Sequence, residues 1–261
     1  MNKLFGNLCF VKIHSLLWIQ PQTKCPNPST LKNAHEDTSF FALFHTIYTI
    51  IYILVRFLAN LHKFVFKIEP MSRYIDIHTH HFTARHTELR AAGIHPWDAE
   101  KAELQEQMFS GVQAIGEIGL DYACDVDRAR QEELFREQLA IAEKLQLPVV
   151  LHCVRAFAPT LEILKNYRLK AIIFHGFIGS KEQAAEAVKR GYFLSFGEGV
   201  KRSPKTAIAL QTTPLENLFL ETDESTLSIE EIYSIAAEIR GEDVETIINA
   251  ITNNYNRLFQ L

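Results

Sequence analysis

Cysteine is scarce and poorly placed for structural work. Of 261 residues only four are cysteine, Cys9, Cys25, Cys124 and Cys153, with no C-x-x-C pair and no knuckle spacing. That excludes a disulfide framework and a thiolate zinc site, and reduced thiols in a cytoplasmic protein are the expected state. Positive charge is also short. From Met71 onward there are 20 Lys+Arg against 28 Asp+Glu, a net charge of −8, whereas residues 1–70 hold 7 against 3, a net +4. A body this acidic has no broad basic face to neutralise the many phosphates of a duplex, so any nucleic-acid chemistry must be local. The long apolar run is not expected to be a secretory signal, for it begins only at Phe40 and no small-residue cleavage site follows it.

What is present divides at Met71. Residues 1–70 contain a Pro-rich stretch, QPQTKCPNPST, and the apolar run FFALFHTIYTIIYILVRFLANL. A membrane span needs about 20 mainly apolar residues and Arg56 could snorkel, so an apolar helix over 40–61 serving as a membrane anchor is one reading. The segment is also rich in Phe, Ile, Tyr, Asn and Lys, as translated AT-rich upstream sequence would be. The expectation adopted is a mis-assigned start, with 1–70 an N-terminal extension of doubtful authenticity and 71–261 one cytoplasmic catalytic domain.

With 47% apolar residues the chain can bury a large core. From Tyr74 it alternates short apolar runs with amphipathic segments, the pattern of β/α units around a parallel sheet. In RQEELFREQLAIAEKLQ, the residues Leu134, Leu139, Ile141, Ala142 and Leu145 mark one helical face. The runs PVVLHC, AIIFHG and NLFLETD are apolar until a polar residue closes each one. In β/α barrels that end of the strand carries the active site. If RAAGI is also a strand, seven strands result. The predicted fold is therefore α/β, a TIM-like (β/α) barrel of about seven strands.

The closing residues are His78 and His80, then Glu117 and Asp121, His152, His175 and Asp223. His78 and His80 alternate along an extended chain and so share one side. A barrel mouth lined with buried imidazoles and carboxylates is costly without a cation to neutralise it. Imidazole and carboxylate without thiolate suit one or two divalent cations, Mg, Mn or Zn, with open positions. Glu117 is a candidate to reach two ions, and such a site activates water for hydrolysis.

The motifs DIHTH, GIHP, GEIGLDY, LHC, FHGFIGS and LETD, in that order, resemble the TatD-type metal-dependent hydrolases of the amidohydrolase superfamily, over Met71 to Leu261. The resemblance implies that His78 and His80 hold one ion, that Glu117 bridges, that His152 and His175 hold a second, and that Asp223 binds metal and orients or deprotonates the attacking water. It implies catalytic roles for Asp223 and Glu117 and a deoxyribonuclease activity, in some relatives a 3′-exonuclease on single strands. In the family a helix, a strand and another helix separate the HxH and GIHP motifs; here only HFTARHTELRAAG lies between His80 and Ile94. One β/α unit is missing, so the barrel is expected to be seven-stranded or open at that seam, exposing an edge.

His95, Asp121, Arg155, Lys201 and Arg202 are the candidates for substrate contact, the three basic residues as phosphate holders. His81 points away from His78 and His80 and is read as a bystander, and Cys153 as core. Single-strand ends suit an acidic body because they need few phosphate contacts. Two other readings stand beside the nuclease: hydrolysis of a small ester, lactone or amide at the same centre, and a non-catalytic metal-binding module whose open seam docks a partner.

Overall fold

Each apolar run that a polar residue closes becomes a parallel strand. The computed structural model describes residues 46–47, 49–51 and 73–259. Its strands are β1 (Ile75–Asp76), β2 (Thr87–Glu88), β3 (Ala91–Ala92), β4 (Ala114–Asp121), β5 (Val149–Val154), β6 (Ile172–Phe174), β7 (Phe193–Phe196) and β8 (Leu218–Leu220). β3 to β8 form one six-stranded sheet in sequence order, and β1 pairs in parallel with β2. β6, β7 and β8 are buried at every position, as strands covered on both faces must be. The helices are α1 (Arg128–Leu145), α2 (Phe157–Leu164), α3 (Lys181–Lys189), α4 (Pro204–Thr212), α5 (Ile229–Arg240) and α6 (Val244–Phe259). The first four each connect consecutive strands from β4 to β8, the β/α alternation read from the sequence.

Local chemistry fixes the helix ends. Asp127 caps α1 by accepting from the Arg130 N–H, and Ser180–Gln183 and Ser228–Glu231 form capping boxes at α3 and α5. Of the apolar face expected on α1, Leu134, Leu139 and Ala142 are buried, Ile141 is half-buried and Leu145 is exposed. Two glutamines complete the buried face instead. Gln138 bonds both the N–H and the C=O of Ile94, and Gln131 bonds both backbone groups of Asp121. An amide side chain supplies one donor and one acceptor, which matches a strand end that has lost its ladder partners. α1 is thereby tied to two loops of the barrel mouth.

The missing β/α unit does not leave the barrel open. β2 and β3 are consecutive pieces of one run, separated by Leu89 and Arg90, and that run pairs with β1 at its start and with β4 at its end. Thr87 N–H donates to Tyr74 O and Leu89 N–H to Asp76 O, both at 3.2 Å. On the other side of β1, Ile77 N–H donates to Leu220 O at 3.2 Å and Asp223 N–H to His78 O at 3.0 Å. Counting 87–92 as one strand, seven strands close the ring. Of the two expected outcomes, seven strands or an open seam, the seven-stranded barrel is the one that forms, and no open edge is left at the seam. With a unit deleted, the following strand moves beside β1 and satisfies backbone groups that an edge would leave unpaired.

The extension over 1–70 and its apolar run at 40–61 fall, apart from the few helical positions named above, outside the described residues. Among the described residues no helix is long and apolar enough to cross a membrane.

The backbone at the start of β1 is satisfied by a side chain rather than by a strand. Tyr233 of α5 covers it: its fully buried hydroxyl accepts from Ile75 N–H at 3.3 Å and donates to Ile75 O at 3.0 Å. Tyr233→Phe is expected to lower the free energy of unfolding by about 1–3 kcal/mol, since it strands two buried backbone groups. Urea denaturation of wild type and variant checks it.

Candidate metal centre

The two ends of the chain's barrel sequence meet at the mouth. Beyond β1, Thr79 forms a parallel bridge with Asp223, and His80 N–H donates to Asp223 O at 3.2 Å. Thr222 N–H donates to Asp76 Oδ1 at 3.0 Å, locking the register of the DIHTH segment against LETD. Alternation about Thr79 then sends the His78 and His80 side chains toward Asp223. Glu117 lies within β4 rather than at its end. The β4–β5 register shifts between Ile115 and Ile118, and a bulge of this kind re-aims a side chain. Two residues on, Gly119 has φ +145°, and a Cβ there would stand 2.0 Å from His152 O, so only glycine lets β4 and β5 approach here.

Glu117 is the centre of the cluster. Its Oε1 lies 3.3 Å from His80 Nε2 and 3.7 Å from His78 Nε2. Its Oε2 lies 2.5 Å from His175 Nε2, 3.2 Å from His152 Nδ1 and 3.8 Å from His95 Nε2. Asp223 Oδ1 stands 3.7 Å from His78 Nε2 and 3.5 Å from His80 Nε2. Donor atoms close enough to share one ion fall into four sets among the described residues: His78–His80–Asp223, His78–Glu117–His175, His95–Glu117–His152 and His175–Glu221–Asp223. The two oxygens of Glu117 thus face two different imidazole groups.

The electrostatics express this crowding. Burial works against the charged form of Glu117, but the neighbouring imidazoles of His152, His175 and His78 hold its carboxyl far below the usual carboxylate range. Burial likewise opposes charge on His175, yet contacts with Glu117 and Glu221 push it up to about 10. Burial, with the neighbouring Glu221 charge, raises the Asp223 carboxyl. Burial and the neighbouring His152 push His95 down to about 4. Carboxylates and imidazoles neutralise one another here in a way that a divalent cation would take over. The residues fit such an ion on two further counts. His78 Nε2 and Glu221 Oε2 are buried without a hydrogen-bond partner, and the donors are nitrogen and oxygen with no thiolate among them.

Supporting groups stand behind the cluster. Asp121, expected to touch substrate, is instead buried behind His152. Its Oδ2 lies 3.3 Å from His152 Nε2 and accepts from Trp97 Nε1–H at 2.7 Å, while Oδ1 accepts from Ala123 N–H at 2.8 Å. With both oxygens engaged, Asp121 faces the His152 imidazole from behind and leaves His152 Nδ1 toward Glu117. Glu221, to which the sequence reading gave no role, is fully buried; it accepts from Gly176 N–H and lies 3.4 Å from His175 Nδ1. The available signal was a carboxylate inside the apolar run NLFLETD.

The remaining candidates spread around the rim. His95 stands nearer the cluster than a substrate contact need be, its ring 4.3 Å from that of His152. Arg155 is exposed and, with Lys205, lines a cleft of about 580 Å³ that reaches His175. Lys205 was not anticipated. Lys201 and Arg202 are exposed on the 3-10 turn Glu198–Arg202, and Arg202 lines a second cleft of about 420 Å³ with Glu221 and Asp223. His81 is exposed and belongs to none of the four donor sets. Cys153 is partly buried and 3.5 Å from Thr160 Oγ1, and burial raises its thiol.

The family described as TatD related DNase matches residues 83–260. The chain belongs to that family. It is 32% identical to the Escherichia coli metal-dependent hydrolase YjjV, over 66% of this chain and 76% of that protein. It is 33% identical to the Bacillus subtilis metal-dependent hydrolase YabD, over 66% and 77%. The crystal structure of YjjV superposes with a TM-score of 0.62 at 31% identity, covering 67% of this chain and 78% of that one. A Cronobacter sakazakii protein named 3′-5′ ssDNA/RNA exonuclease TatD is 36% identical over 51% of this chain and 55% of its own length. The TatD-type barrel is therefore present in shortened form. Family and donor set together make the chain a metal-dependent hydrolase acting on ester bonds.

Asp121→Asn leaves the donor cluster intact but weakens the hold on His152. Divalent-metal affinity is expected to fall about 10- to 100-fold, as calorimetric titration with Mn²⁺ would show.

Proposed function

We propose that this protein is a divalent-metal-dependent nuclease that removes nucleotides from the 3′ end of single-stranded DNA or RNA. One observation carries the reading most: a single carboxylate, Glu117, whose two oxygens face separate imidazole groups at the open end of a TatD-type barrel. His78, His80, Glu117 and Asp223 would hold one ion, and Glu117, His152 and His175 a second. Such ions activate water and stabilise a departing oxyanion. The candidate ions are Mg, Mn and Zn: the carboxylates suit Mg or Mn, and the imidazoles suit Zn, at a site that must stay open to substrate.

The chain's own residues then have distinct tasks. Asp223 combines a raised carboxyl with a side chain 39% exposed, so the oxygen not engaged by an ion can orient the attacking water or take its proton. Arg155 and Lys205 on one cleft, and Lys201 with Arg202 near the other, supply local cations for the phosphates beside the scissile bond. The preference for a strand end follows from charge: a body of net −8 can hold a few phosphates at these points but not a long duplex track. The similarity to a protein named for 3′-5′ exonuclease action on single strands supports the same choice.

The test is digestion of 5′-labelled oligonucleotides, single- and double-stranded, with Mg²⁺ or Mn²⁺, alongside a panel of esters and lactones. A ladder shortening from the 3′ end is expected, faster on the single strand. Asp223→Ala is expected to lower kcat about 10²- to 10⁴-fold. Ester hydrolysis lost in Asp223→Ala, with no cleavage of any oligonucleotide, would overturn the proposal. A second expectation concerns the ions: elemental analysis of a chain starting at Met71 should find divalent metal, and a His78→Ala, His80→Ala double variant should lose at least half of it, about one ion of two.

A further inference from the structure

Three large apolar side chains stand in solvent on loops that follow histidine-bearing strand ends: Phe82 (60% exposed), Trp97 (55%) and Ile178 (64%). They lie two or three residues beyond His80, His95 and His175. Single exposed apolar residues are ordinary on protein surfaces, and Phe82 and Ile178 carry no weight alone. Trp97 differs because it is fixed. Its indole N–H donates to Asp121 Oδ2 at 2.7 Å, and that carboxylate is buried. The same oxygen lies 3.3 Å from His152 Nε2. The indole meets the His95 ring edge-to-face at 4.7 Å between centroids and the His152 ring at 6.2 Å. Its backbone is held too: Trp97 N–H donates to His95 Nδ1 at 3.3 Å, and Pro96 stiffens the turn Pro96–Asp98.

A tryptophan kept for packing buries its ring, since that is where its free energy lies. Here the polar edge is satisfied inward while the ring remains in water beside the imidazole cluster. Resting on the nuclease reading above, we propose that Trp97 is a base-stacking platform, taking a nucleobase of the strand whose phosphodiester lies at the metal centre. A nucleotide divides into an anionic phosphate and a flat apolar base, and the mouth offers a matching division: donors and cations inside, a rigid indole on the rim. Stacking requires no cation, so it suits an acidic body. Every base has a π face, so the residue distinguishes base-bearing from abasic strands rather than one sequence from another. The link through Asp121 sets the ring at a fixed place relative to His152, which holds the base in register with the phosphate.

The sequence contains two tryptophans, Trp18 and Trp97, so in a Trp18→Phe background Trp97 is the sole indole reporter. Phosphorothioate-linked oligothymidylate and an abasic strand of equal length are titrated in Mg²⁺ and followed by indole fluorescence and anisotropy. The base-bearing strand is expected to quench Trp97 and to bind about 10- to 100-fold more tightly than the abasic one. Trp97→Ala should bring that ratio close to one, and Trp97→Phe, which keeps a ring without the N–H, should retain most of it. In steady state on ordinary oligonucleotides, Trp97→Ala should raise KM and leave kcat within about threefold. Equal binding of the two strands by the Trp18→Phe protein overturns the proposal. So does a ratio that survives Trp97→Ala, or a fall in kcat at constant KM, which a role exercised only through Asp121 and His152 would give. If Trp97→Ala does not fold, the two-strand comparison and Trp97→Phe still decide. Cleavage of oligonucleotides with equal binding of both strands sinks stacking alone, whereas failure to bind or cleave either strand sinks the nuclease reading with it.

Discussion

Five imidazoles and two acidic side chains share one small volume with Glu117, and everything around the barrel mouth serves that convergence. A buried carboxylate is costly unless it is met by charge or hydrogen bonds. Here His175, His152, His80, His78 and His95 all come within 4 Å of its two oxygens. None of these residues is near Glu117 in sequence except through the barrel. The register shift of β4 around Glu117 and the absence of a Cβ at Gly119 accompany the close approach of β4 and β5 that brings Glu117 and His152 together. The polar cluster thus constrains the backbone as strongly as the apolar core does.

Ring closure is the second requirement, because His78 and His80 sit on one side of the seam and His95 on the other. The family's intervening β/α unit is absent, yet the run 87–92 reaches β1 and β4 at its two ends and keeps the circle complete with seven strands. A smaller ring remains compatible with the site because the donors sit beyond the strands' ends, where loops can adapt. Tyr233 and the pair Gln131 and Gln138 do for irregular strand ends what ladder bonds do elsewhere. Each supplies a donor and an acceptor to one residue's backbone, so helices on the outside hold the geometry of the mouth.

Behind the donors, Asp121 and Glu221 give the imidazoles their direction. Asp121 serves two rings at once through one oxygen, His152 and Trp97, which couples the cluster to the rim. The mouth accordingly passes from buried charge, through oriented imidazoles, to exposed aromatic and basic side chains. That gradient is what the proposed nucleotide substrate would require of an acidic body that meets a polyanion at one point.

The sequence by itself determined the β/α alternation, the apolar strands and the histidines and carboxylates that close them. Those features depend on period and on composition near in the chain, which burial on two sheet faces imposes locally. The loss of a unit between His80 and His95 was also legible as a short spacing, but not its consequence. Whether the seam stayed open depended on backbone hydrogen bonds between β1, the run 87–92 and β8, and such pairing has no local signature. Asp121 illustrates the same limit: its position at the end of β4 read as a substrate contact, whereas its neighbours across the mouth make it the partner of His152 and Trp97. Glu221 and Lys205 drew no notice because burial at one and cleft-lining at the other arise only when distant segments meet. The tertiary structure alone decided which of these polar groups face one another, because long-range contact, not residue type, sets which charge each must answer.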